Sequence, residues 1–143
     1  MNTPLNDRAA VVSAARSYLG VRWRHQGRTR DGLDCVGLLV LVARDLSVSD
    51  YDHRAYARAP QAEGFLEHFA ANMPRVPLPS VLPGEVVVFA DQVYPCHCGI
   101  VSQRFGARYL IHASAQLRQV AETPYADWAA KARFAFAFPG VAP

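Results

Sequence analysis

Apolar positions recur at helical spacing in the first half of the chain and alternate in the second. Val12, Ala15 and Leu19, broadened by Val11 and Tyr18, form a stripe that stops at Gly20, so a first helix is expected from a Thr3-Pro4 start to that glycine. Residues 21–33 read as a polar, glycine-punctuated loop with arginines at 22, 24, 28 and 30. From Cys35 to Leu46 almost every position is apolar, which leaves no polar face and predicts a helix enclosed by other structure, with Asp34 as its N-cap. Ala62, Phe65, Leu66, Phe69 and Met73 predict a third, amphipathic helix, closed off by Pro74, Pro77 and Pro79. Past a Pro83-Gly84 turn the period becomes two. Strands are expected over 85–90, 97–103, 108–113 and 117–120 and through the alternating Phe134, Phe136 and Phe138, with a short helix from Pro124 capped by Thr123. Helices first and strands later indicate an α+β fold, helices packed on an antiparallel sheet, and 143 residues at 51% hydrophobic suit one domain, 1–143.

Charge and composition narrow the partners. Fifteen basic residues against twelve acidic give a net charge of +3 with no Lys/Arg block, so nucleic acid is not expected as a partner. The longest strongly apolar run, Val36 to Ala43, is far shorter than the roughly 20 residues that span a bilayer, so no membrane insertion is expected. The amino end lacks a basic stretch followed by an apolar one; no signal peptide is expected, and synthesis should end in the cytoplasm. Three cysteines in such a chain argue for free thiols.

One of those thiols stands where a helix begins. Cys35 follows the Asp34 cap, near unpaired backbone N–H groups and the positive end of the helix dipole, and both favour thiolate. His97 and His112, fifteen positions apart, are centred near an Arg104-Phe105-Gly106-Ala107 hairpin turn. Folding there sets them opposite each other or one residue off, on one face, with Cβ atoms about 4.5–5.5 Å apart. If that face packs on the start of the Cys35 helix, His97 can take the thiol proton while His112 holds its ring. Gly37 would let helix and strand approach closely.

Blander and rival readings exist for the same residues. Cys35 would otherwise be a buried structural thiol, and the histidines core residues. Cys96-His97-Cys98 invites a zinc site, but alternate strand side chains point to opposite faces, and Cys35, His97 and His112 lack an evident fourth ligand. Cys96 and Cys98 therefore read as packing residues, and no metal or cofactor is implied. His53 and His68 read as surface residues. The arginines before Cys35 would ordinarily be solvated. The sharper reading gives Arg24 or Arg28 a grip on substrate carboxylates and lets His25 line the pocket.

Asp34-Cys35-Val36-Gly37-Leu38, His97-Cys98-Gly99-Ile100 and Ile111-His112-Ala113, in that order across nearly the whole chain, resemble the NlpC family of papain-like cysteine peptidases that cut the peptide stems of bacterial cell walls. The resemblance implies Cys35 as nucleophile, His97 as general base and acid, and His112 as the orienting third residue. It sets Trp23 at the oxyanion side, where Asp34, Arg24, His25 and Arg28 are also read as oxyanion or substrate-binding residues, and it implies a stem peptide as substrate, cut between D-glutamate and a diamino acid. Pro83-Gly84-Glu85 is similar to the family's Pro-Gly-Asp turn. Val36, Trp23 and Cys98 stand where many members have Ser, Tyr and Val. Trp23-Arg24-His25-Gln26-Gly27-Arg28, and Val120-Ala121-Glu122 followed by Trp128, resemble members encoded in phage tail clusters and gene-transfer agents. That implies a virion protein with tail-tip partners, acting in the periplasm of the target cell. The alternatives are a structural tail-tip protein of the same fold, or an amidase or acyltransferase using the same cysteine.

Overall fold

The computed structural model describes residues 6–48, 73–91 and 94–142. The Thr3-Pro4 start, His53, His68, the helix expected over 62–73 except its last residue, and the side chain of Cys96 lie outside the described residues.

Helix α1 spans Arg8–Arg16 and begins after the expected Thr3-Pro4 start, because Asp7 holds extended backbone and accepts the Ala10 N–H through its side chain. Val11, Val12 and Ala15 are buried. Leu19 is not, since the helix has ended by Ser17. A ribbon of two short strands, β1 (Arg28–Thr29) and β2 (Gly32–Leu33), interrupts the expected loop and leads into α2, Cys35–Asp45, which has the expected start and the expected Asp34 cap.

The remaining strands are β3 (Arg75–Val76), β4 (Val86–Asp91), β5 (Tyr94–Arg104), β6 (Ala107–Ser114), β7 (Gln119–Pro124) and β8 (Ala132–Phe136). They form one six-stranded sheet in the order β3-β8-β4-β5-β6-β7, antiparallel throughout. The α+β expectation is met. Phe105 and Gly106 join β5 to β6, both at positive φ, which is the two-residue turn whose twist suits a hairpin.

The bounds of β7 differ from the expected ones at both ends. Residues 115–118 are a turn, with Arg118 at positive φ, so β7 begins at Gln119 rather than Leu117 and runs on to Pro124. Thr123 is therefore a strand residue opposite Leu110, and the segment after it is a pair of 3-10 turns, 125–127 and 129–131, without a side-chain cap.

The sheet has two unlike faces. On one, α1 and α2 bury Val86, Val88, Cys98, Ile100, Ile111, Ala113, Val120 and Phe136. On the other, Val87, Phe89, Val101, Leu110 and Ala135 pack with Val81 and Tyr125, and Trp128 lies against them. Among the described residues no helix is long and apolar enough to cross a membrane.

Candidate active site

Asp34 does more than cap α2. Its Oδ1 accepts the Gly37 N–H at 2.8 Å, and its Oδ2 accepts the Gln26 N–H at 2.8 Å. Arg28 Nη1 donates to Oδ1 at 3.1 Å and to the Gly27 carbonyl at 2.9 Å. Both charged side chains are buried. The reading of Arg28 as a grip on substrate, and of Asp34 as a substrate-side group, is corrected by this arrangement: each is turned inward and holds the other, fixing the loop before Cys35 to the helix start. Gly37 is needed for the same contact. A Cβ there would lie 2.3 Å from the Gly27 carbonyl oxygen, so the close approach is between helix and loop, not helix and strand.

The two histidines meet by an offset. Arg104 pairs with Ala107 and Ile100 with Ile111, a register that, continued, sets Gly99 beside His112 and leaves His97 two positions further along. The expected register of zero or one is thus corrected to two, an even shift that keeps both rings on one face. Gly99 lets the ring of His112 reach across the vacant position. His97 Nε2 lies 2.8 Å from His112 Nδ1, and His112 Nε2 lies 2.9 Å from Thr123 Oγ1. Trp128 covers the pair, its ring 4.9 Å from that of His97 and 5.1 Å from that of His112. Burial first, and the neighbouring His97 second, push His112 down to about 3, so it is neutral at ordinary pH.

The face that carries the histidines, with Phe89 and Trp128, is the one turned away from the helices, contrary to the sequence expectation. A bulge opposite the Phe89-Ala90 step bends β5 beside His97, and Cys35, at the tip of α2, meets that strand end. The half-buried Cys35 thiol lies beside Cys98 and His97. The Cys98 contact above all, then the contact and charge of His97, hold Cys35 below the usual thiol range against its burial and the nearby Asp34 carboxylate. Cys98 is pushed the other way, by burial and then by Cys35 itself. Since His112 occupies Nε2 of His97, Nδ1 is the nitrogen left for the thiol.

His97, His112 and Thr123 thus form one hydrogen-bonded line, and Cys35 stands at its His97 end. Thr123 and the Cys98 contact were missed in the sequence. The signal for Cys98 was available, because it shares strand parity with Ile100 and so faces the helix that begins at Cys35. Among the described residues, no three or more His, Cys, Asp or Glu side chains are grouped to hold a metal ion.

Two clefts border this line. One, of about 200 Å³, is lined by His97, Phe89, Trp128, Gln116 and Lys131; the other, of about 330 Å³, by His112, Thr123, Asp127, Trp128, Gln116 and Lys131.

The fold is similar to that of known structures. The NlpC/p60 domain of the peptidoglycan hydrolase SagA matches with a TM-score of 0.64 at 19% identity, over 92% of this chain and 98% of that one. NlpC2 from Trichomonas vaginalis matches with a TM-score of 0.72 at 17% identity, over 97% of this chain and 49% of that one. The chain has the NlpC/P60 fold. An N-acetylmuramoyl-L-alanine amidase from Bacteroides uniformis ATCC 8492 also matches, with a TM-score of 0.64 at 13% identity, over 92% of this chain and 98% of that one. This chain therefore spans nearly all of the SagA domain and about half of the Trichomonas protein. No protein-family model matches it, and no curated protein sequence does. At these identities the likeness establishes the NlpC/P60 fold.

Within that NlpC/P60 fold the other residues singled out in the sequence lie along the loop before α2. Trp23 is half-buried, bridges to Leu33, and donates its backbone N–H to the Arg118 carbonyl at 3.0 Å, which ties the loop to the start of β7. His25 is half-buried beside it in sequence. Arg24 is exposed, with its stem over Gly32. Arg30 is engaged elsewhere, donating to the Ser17 carbonyl at 2.8 Å with its guanidinium over the Tyr18 ring.

Proposed function

We propose that this chain is a cysteine peptidase that hydrolyses amide bonds in peptidoglycan stem peptides, with the bond between D-glutamate and a diamino acid as its target. The observation that carries this reading is the Cys35 thiol beside His97, whose ring is hydrogen-bonded to His112. It is supported by a fold whose solved examples include a domain of a peptidoglycan hydrolase and an N-acetylmuramoyl-L-alanine amidase.

The sequence of events follows from the groups present. Cys35 Sγ attacks the amide carbonyl as His97 takes the thiol proton, and the backbone N–H of Cys35, fixed at the helix start, donates to the oxyanion. His97 then protonates the leaving amine as the C–N bond breaks. Water, losing a proton to His97, opens the thioester and restores the thiol. His112 stays neutral and keeps the His97 ring aligned. Trp128 shields the histidine contact from water.

The setting we propose is a phage or gene-transfer-agent tail, in contact with other tail-tip proteins, from which the enzyme opens the wall in the periplasm of the target cell. The stretch from Trp23 to Arg28 and the Val120-Ala121-Glu122 segment with Trp128 support that setting by their resemblance. A second reading, cleavage of the amide between sugar lactyl group and stem, is favoured by the likeness to the Bacteroides amidase. Digestion of purified cell walls, with mass spectrometry of the released fragments, tests both. Fragments ending in D-glutamate, made by the native chain and not by Cys35→Ala, are expected. Intact stems released from the glycan would replace the first reading by the second. Undigested walls would leave a structural tail protein.

A further inference from the structure

Thr123 stands at the end of the line that starts at Cys35. The partner it holds is unusual in being both deeply buried and neutral: His112 is 1% exposed, sits between His97 and Thr123, and carries a single ring proton at ordinary pH. The nitrogen that bears that proton determines what His97 can do.

Once His97 has accepted the proton of Cys35 it bears hydrogen on both nitrogens, and its Nε2–H points at His112 Nδ1 across 2.8 Å. Nδ1 must then be bare, so the proton of His112 must be on Nε2, the nitrogen 2.9 Å from Thr123 Oγ1. In the opposite tautomer His112 donates from Nδ1. His97 must then present a bare Nε2, so its own proton sits on Nδ1, facing the thiol, where it blocks proton acceptance. Thr123 Oγ1 can accept from Nε2–H or donate to a bare Nε2, and an Nε2–H with no acceptor in this buried place would carry the cost of an unsatisfied donor, so the productive tautomer needs this hydroxyl as its acceptor.

We propose that Thr123 is a positioning residue, which acts through His112 by accepting the Nε2 proton and so leaves His97 competent as a base. The proposal rests on the reading of Cys35 and His97 as nucleophile and base. It assigns to Thr123 a role distinct from helix capping, for which its place inside β7 leaves no use. Thr123 opposes Leu110 on β6, and the β-branched shape of a valine suits the same strand position, so the hydroxyl can be removed with little change of volume.

The test compares the native chain with Thr123→Val and Thr123→Ser. Nitrogen-15 NMR of the His112 ring should report the Nε2–H tautomer in the native chain and in Thr123→Ser, and a shift toward Nδ1–H in Thr123→Val. The rate of Cys35 alkylation by iodoacetamide at neutral pH, read without any substrate, should fall roughly tenfold in Thr123→Val and recover in Thr123→Ser. On cell-wall fragments kcat should fall by a similar factor with KM within about twofold, as expected for a group that acts on chemistry rather than binding. An unchanged His112 tautomer in Thr123→Val, or a loss that serine does not restore, overturns the proposal. Because tautomer and alkylation are read on the protein alone, a native chain that fails to cut cell walls would sink the peptidase reading and leave the role of Thr123 still decided by these two measurements. If Thr123→Val does not fold, Thr123→Cys, with a weaker acceptor in the same place, serves instead and should show an intermediate tautomer ratio.

Discussion

His112 reaches His97 across an empty place. The two residues are two positions out of register on β5 and β6, yet His112 Nδ1 lies 2.8 Å from His97 Nε2, and the position beside His112 is Gly99. A Cβ on Gly99 would stand 3.0 Å from His112 Cβ and 2.7 Å from Leu110 Cδ1. Leu110 can turn aside, whereas His112 Cβ is fixed by the strand. Gly99→Ala should therefore cost about 1–3 kcal/mol in stability, as overpacking does. It should also slow Cys35 alkylation by displacing the ring that aligns His97. Chemical denaturation and timed iodoacetamide labelling check both; a variant with native labelling kinetics would show that the offset does not depend on glycine.

The thiol pair gives a second expectation. Cys98 contributes the largest share of what holds Cys35 below the usual thiol range. Cys98→Val removes the S–H while keeping a small apolar side chain on the helix-facing side of β5. The midpoint of Cys35 alkylation against pH should move upward. A midpoint that stays where it was would leave His97 and the helix end as the whole cause.

Acid should weaken the fold through His112. Its folded value, about 3, lies below the unfolded 6.5, so between those limits the unfolded chain binds more protons and stability falls as pH falls. The slope is about 1.4 kcal/mol per pH unit for one proton fully taken up. Replacing His112 by Gln removes this titration. Urea midpoints measured from pH 7 to pH 4 should drop more steeply for the native chain than for His112→Gln, and parallel curves would refute the assignment.

Arg28 and Asp34 should be coupled. Arg28→Met leaves a buried carboxylate without its cation, and breaking a buried pair in this way costs about 3–5 kcal/mol. Asp34 would still accept from Gly37 and Gln26. Combining Arg28→Met with Asp34→Asn should cost less than the sum of the two changes, and a double-mutant cycle in urea measures the difference. Additive losses would mean that the pair is not energetically joined.

What could be read from the sequence follows a physical division. The start of α2, its Asp34 cap and the hairpin turn at Phe105-Gly106 are local, set by residues within a few positions of each other, and they were legible. The register of β5 on β6 was missed by a residue or more, because equal distances from a turn say nothing of where the two central turn residues fall. The short strands β1, β2 and β3 carry two residues each and leave no period to detect. β7 was cut short at the point where polar residues enter it. Glu122 there is buried against Arg16, Arg104 and Ser102, and Thr123 is bonded to His112. Arg28 looked like its solvated neighbours, since a sequence does not show which of four arginines turns inward.

Cys35 and its two sulfur and imidazole partners come from separate parts of the chain, one from the tip of α2 and the others from β5. Before those parts dock, Cys35 is an ordinary thiol near 9.0 and almost wholly protonated at neutral pH. The lowered thiol is thus a tertiary property that exists only while α2 is docked on β5. A copy in which those two elements come apart keeps the cysteine and loses the greater part of its thiolate, so the reactivity of this one sulfur reports whether the fold is intact.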